Sequence, residues 1–88
     1  MITNLTHRFE KSLRRLDAPM RLRIATIIRE VQAAQSLGEV HHIKLMSGYP
    51  NFYRIRIGDY RIGIFVTDNA IVEFRDVSSR GDFYKGFP

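Results

Sequence analysis

The chain has no cysteine, so no disulfide framework and no thiolate metal site can hold it together, and its core must rest on burial and hydrogen bonding alone. Proline is scarce, three residues in 88, and each one falls at a boundary between differently patterned stretches. No run approaches the roughly 18 consecutive apolar residues of a membrane span. The start, with Thr3 and Asn4 in place of a basic segment leading into an apolar one, does not read as an export signal. A cytoplasmic protein without a membrane anchor is expected. Acidic residues are also in deficit. Nine Asp and Glu face fourteen Lys and Arg for a formal charge of +5. Eleven of the fourteen are Arg, whose planar fork matches phosphate oxygens.

What remains is a composition suited to folding, 44% apolar and 26% charged. At this length a chain buries roughly 60–65% of its unfolded surface, enough for one modest core, and a single domain over residues 1–88 is expected. No repeat or low-complexity tract interrupts it. The excess of arginine points to a polyanionic partner, with a solubilising surface as the plainer alternative.

The first half is patterned for helices. Leu5, Phe9, Leu13 and Leu16 recur at helical spacing with Arg8, Lys11, Arg14 and Arg15 between them, and Thr3, Asn4 or Thr6 can cap the start. Asp17-Ala18-Pro19 ends that helix and opens a second, because Asp caps free amides and Pro is tolerated in a first turn. Met20, Ile24, Ile27, Ile28, Val31 and Ala34 carry the second helix toward Leu37, where Gly38 is placed for a left-handed cap. A helical hairpin follows.

Beyond Gly38 the period becomes two. Residues 52–57 and 60–66 are strand-like runs separated by Gly58-Asp59, a two-residue hairpin turn, and a third run covers 71–77. With that turn, Ile57 faces Tyr60, Arg56 faces Arg61, Ile55 faces Ile62 and Arg54 faces Gly63. For the next hairpin, burial selects the register that sets Phe74 beside Ile64 and Val72 beside Val66, and this places Arg75 beside Gly63. Arg54, Arg56, Arg61 and Arg75 then share the face away from the helices, with only Glu73 to offset them. Opposed like charges destabilise a sheet. Such a cluster therefore reads as a phosphate-binding surface, which Arg80 extends and which Tyr84 reaches if the aromatic C-terminal segment packs back.

These same residues resemble the RelE/ParE superfamily of toxins from type II toxin–antitoxin systems. The resemblance covers nearly the whole chain: the helical pair from Phe9-Glu10-Lys11, the His42-Ile43-Lys44-Leu45 strand start, the Tyr53 to Ile62 hairpin, and the Arg80-Gly81-Asp82-Phe83-Tyr84-Lys85-Gly86-Phe87-Pro88 ending. It implies an α+β fold in which a helical hairpin packs on a small, mainly antiparallel twisted sheet, with a short or absent first strand over Met1 to Asn4. Its RelE branch implies a ribosome-dependent messenger-RNA endonuclease that blocks translation, neutralised by a cognate antitoxin. By that resemblance Arg54, Arg56, Arg61, Arg80 and Tyr84 carry the chemistry; Lys44, Arg75 and Lys85 are read from their charge and position as RNA contacts. Neither metal nor cofactor is expected, since three histidines without a carboxylate cluster make a poor ligand set.

The sequence departs from familiar members in having Arg at the two strand positions where Lys is usual. Arginine, which stays protonated throughout the physiological range, is a poor general base, so the base is unassigned. His41 or His42 is a candidate by chemistry, with surface or packing roles as the plainer reading, and His7 is placed with the latter. Two alternatives stay open: the ParE branch, which binds DNA gyrase without cutting nucleic acid, and a non-toxic family member that only binds an antitoxin.

Overall fold

The computed structural model describes all residues, Met1–Pro88. In chain order it comprises β1 (Thr3–Leu5), α1 (His7–Arg14), α2 (Ala18–Ala33), a 3-10 turn (Leu37–Glu39), β2 (Ile43–Leu45), β3 (Phe52–Ile57), β4 (Tyr60–Val66), β5 (Val72–Ser79) and α3 (Arg80–Gly86). The five strands form one sheet in the order β1-β5-β4-β3-β2. Only the β1–β5 pair is parallel. This is the expected α+β architecture with a short first strand.

The helix starts follow from capping. Thr6 Oγ1 accepts the Phe9 amide at 3.2 Å and donates to the Phe74 carbonyl at 3.1 Å, so one side chain opens α1 and ties it to β5. Leu5, expected on this helix, instead lies on β1 beside Phe74, because the cap at Thr6 fixes the first turn after it. Asp17 caps α2 as expected, accepting the Met20 amide at 2.9 Å. The other end differs. α2 stops at Ala33 rather than Leu37, and Gly38 is not left-handed. There the Met1 amino group donates to the carbonyls of Val31, Gln32 and Ala34. A cation at a helix C-terminus is favoured by the aligned peptide dipoles, and it supplies the partners that a glycine cap would have provided.

One face of the sheet packs against α1 and α2. Phe9, Ile24 and Val31 from the helices meet Ile55, Ile62, Ile64 and Phe74 from the strands, all at most 1% exposed. The first hairpin has the expected register throughout, from Ile57 opposite Tyr60 to Arg54 opposite Gly63. The second has it only as far as Phe74 opposite Ile64. A β-bulge then makes Arg75 an extra residue, so Asp76, not Arg75, faces Gly63. Strict alternation after Phe74 would have driven Asp76 into the apolar core and turned Val77 out. The bulge resets the parity and lets Val77 pair with Ile62, where it is 3% exposed.

The opposite face is not bare. α3 folds back across it, with Phe83 and Phe87 both buried and their rings stacked at 5.0 Å. Phe87 also meets Phe52 at 5.7 Å, and Phe52 meets Phe65 at 4.7 Å. The ring of Phe87 rests directly on Gly63, so closely that a Cβ there would come within 2.6 Å of it. Glycine at 63 is thus what lets α3 dock.

Candidate functional site

Three elements converge where β3 turns into β4. The Arg80 amide, at the start of α3, donates to the Asp59 carbonyl at 2.7 Å, pinning that helix to the hairpin turn. Arg61 reaches back to the same turn, its Nη1 donating to the carbonyls of Gly58 and Tyr60, each at 2.9 Å. Arg56 lies directly across the ladder from Arg61, and Lys44 lies across from Arg54 on the same face. Tyr84 follows Arg80 by four residues on α3, half-exposed, with its ring edge-on to Phe83 at 5.0 Å.

The charges at this end are unbalanced. Lys44, Arg54, Arg56, Arg61 and Arg80 have no carboxylate within ion-pair distance. Arg61 is the notable one, because only 8% of its surface is exposed and its Nε has no hydrogen-bond partner. A buried N–H without an acceptor costs roughly 1–3 kcal/mol, and buried charge is normally paired.

Two expected RNA contacts sit apart from this cluster. Arg75, displaced by the bulge, gives both Nε and Nη2 to Glu73 Oε1 at 3.0 and 2.7 Å and lies over the Phe65 ring at 4.3 Å. It belongs to the aromatic end of the face, already paired. Lys85 approaches Asp82 at 3.9 Å on the exposed side of α3. Of the histidines, His41 bonds to Glu30, while His42 Nδ1 lies 3.1 Å from Arg56 Nη2 and so touches the cluster. No three His, Asp or Glu side chains converge as they would to hold a metal ion. Arg23 of α2 was not among the expected site residues. The fold nevertheless brings its guanidinium to the Gly58 turn, and no signal in the helical periodicity marks it out.

Residues 4–84 match the family model described as the ParE toxin of the type II toxin–antitoxin system parDE. Toxin RelE3 of Methanocaldococcus jannaschii is 44% identical over 81 residues, 91% of each chain. The chain belongs to the RelE/ParE superfamily of type II toxins. The crystal structure of the RelB-RelE antitoxin-toxin complex from Methanococcus jannaschii includes a chain that superimposes with a TM-score of 0.81 at 40% identity, over 97% of this chain and 99% of that one. The archaeal RelE-RelB complex from Pyrococcus horikoshii shares the fold at a TM-score of 0.75 and 19% identity, covering 93% and 97%. Membership and superposition show a shared fold. They leave the role of each arginine to be argued from its surroundings.

Proposed function

We propose that this protein is a RelE-like, ribosome-dependent messenger-RNA endonuclease acting in the cytoplasm and held in check by a cognate antitoxin. The observation that carries the reading is the cationic cluster at the β3–β4 turn, in which no arginine is ion-paired and Arg61 is buried with its Nε unpartnered. Cleavage by attack of a ribose 2′-hydroxyl on the adjacent phosphate builds negative charge on the phosphorus oxygens. A guanidinium already fixed by two carbonyls and shielded from water stabilises that charge without having to reorganise. Arg80 brings a second cation from α3, Arg54 and Arg56 hold the flanking backbone, and the exposed Tyr84 ring orients or stacks on a nucleotide. None of these arginines is ion-paired to a carboxylate. The acceleration assigned to the protein is charge stabilisation and positioning, with the ribosome presenting the message.

The antitoxin follows from the relatives, two of which are structures of a RelE toxin bound to RelB. A chain of net charge +5 suits an acidic or amphipathic partner segment laid over the basic face. Purified protein added to a translating ribosome complex should cut the message at the vacant decoding site. The Arg61→Ala, Arg80→Ala double variant should cut at least about 100-fold more slowly, the scale for removing preorganised charge-stabilising donors. Unchanged cutting by that variant would refute the assignment. The match to a ParE family model favours a second reading, inhibition of DNA gyrase without cleavage. A supercoiling assay run beside the translation assay separates the two.

A further inference from the structure

Around the edge of β3 from the cationic cluster lies a cleft of about 650 Å³ that the reading above touches only at Arg56; Arg23, Thr26, His42 and Asp59 line it too, with Ile27 and Ile57 as its apolar part. It exists because β2 is short. β2 pairs with β3 only from Tyr53 to Ile55, and past that point a single bond from the Arg56 amide to the His42 carbonyl, 3.1 Å, continues the edge. The opposite wall is α2. Arg23 leans from it over the turn, its guanidinium nitrogens 3.6 and 4.0 Å from where a Cβ on Gly58 would stand. Arg23 has neither hydrogen bond nor ion pair, and Arg56 has only the His42 ring. Asp59 is the sole acid among the lining residues.

His42 explains how Arg56 is held. Its backbone is left-handed, φ 62°, a conformation uncommon outside glycine. In that position its carbonyl accepts the Arg56 amide while its ring Nδ1 lies 3.1 Å from Arg56 Nη2. Since arginine only donates, a hydrogen bond between them has Nδ1 as its acceptor. One guanidinium edge is thereby fixed, and the other donors of Arg56 stay free. Two guanidinium forks on facing walls, one of them oriented, match the tetrahedral oxygens of a phosphodiester.

We infer that this cleft binds a backbone phosphate of the single-stranded RNA gripped by the open face, between Arg23 and Arg56, with His42 as the positioning residue for Arg56. The inference rests on the nucleic-acid reading above and extends the strand's path from Arg61 and Arg80, across Arg56, to α2. Its test uses an RNA oligomer with 2′-O-methyl riboses, which binds but lacks the attacking hydroxyl. Arg23→Gln should weaken binding about 10-fold, the scale of a lost charged hydrogen bond. It should also lower the slope of log affinity against log salt by about 0.7, one phosphate contact on a single strand. Arg14→Gln, the same charge change on α1 outside the cleft, should leave the slope unaltered. Equal effects of the two substitutions would overturn the inference.

Side-chain resonances of ¹⁵N-labelled arginine give an independent readout. The oligomer should shift Arg23 and Arg56 together. If inorganic phosphate shifts them and the oligomer does not, the RNA assignment is overturned, as it is if neither ligand does. Message cleavage by the unaltered protein is scored separately. Normal cleavage with Arg23-independent binding sinks this inference alone, whereas Arg23-dependent binding without any cleavage sinks the endonuclease.

Discussion

Gly63→Ala should detach α3 from the sheet. The added Cβ would lie 2.6–2.7 Å from three carbons of the Phe87 ring, well inside contact distance. The ring cannot simply turn aside, because it is 7% exposed and wedged between Phe83 and Phe52. Either the packing dilates, which costs about 1–3 kcal/mol, or Phe87 swings out and forfeits a buried aromatic, about 1.5–3 kcal/mol. Both routes converge on about 2 kcal/mol, a fall of roughly 8–16 °C in Tm for a chain of this size. The decisive assay is a double-mutant cycle by urea denaturation. In a Phe87→Ala background the new methyl meets no ring, and replacing glycine within a strand should then be neutral or favourable by about 0.5–1 kcal/mol. The expected coupling between the two positions is about 2–3 kcal/mol. Costs that simply add would refute the view that Gly63 is needed for the docking of Phe87. Since α3 carries Arg80 and Tyr84, message cleavage should fall with Gly63→Ala by more than the loss of folded protein.

Arg61→Met should leave Tm unchanged or raised, because it removes a buried guanidinium without a counter-ion at nearly constant volume, yet cleavage should drop at least about 100-fold. A large loss of Tm would mark Arg61 as structural. Arg75→Gln should cost about 1 kcal/mol through the Glu73 pair and the Phe65 ring and leave RNA affinity within about twofold, as set by a paired rather than free charge. An affinity loss matching that of an Arg54 substitution would return Arg75 to the binding surface.

Period and turn chemistry carried most of the fold. The Gly58-Asp59 pair fixes the first hairpin, and once Ile55 must face Ile62, Arg56 and Arg61 are forced onto the other side. The bulge at Arg75 was hidden because the sequence Val72-Glu73-Phe74-Arg75-Asp76-Val77 alternates cleanly at first, and only three-dimensional burial of Val77 reveals where the parity resets. The end of α2 was hidden for a different reason. Its carbonyls are satisfied by the Met1 amino group, about thirty residues distant in the chain, and no local signal reports a partner that remote. Arg54, Arg56 and Arg61 were legible as a set because strand parity is a local rule. The contribution of Arg23 was not, since it depends on how α2 crosses the hairpin turn.

The second face of the sheet divides into two ends with opposite demands. At the Phe52 end, aromatic rings from β3, β4 and α3 bury one another, and the nearby acids are committed, Glu73 to Arg75 and Asp76 to Arg8. At the turn end, Arg56, Arg61 and Arg80 form no ion pair, although Asp59 sits in the turn itself. Random scatter of nine acids among fourteen bases would be expected to pair some of these arginines, and pairing Arg61 would have relieved its orphan Nε. Stability alone therefore does not explain the arrangement. The aromatic end supplies the apolar contact that keeps α3 in place, and α3 in turn holds Arg80 against the Asp59 carbonyl. A cluster of like charges can persist there because its cohesion is provided elsewhere on the same face, which is why the packing of Phe87 on Gly63 should affect cleavage as well as stability.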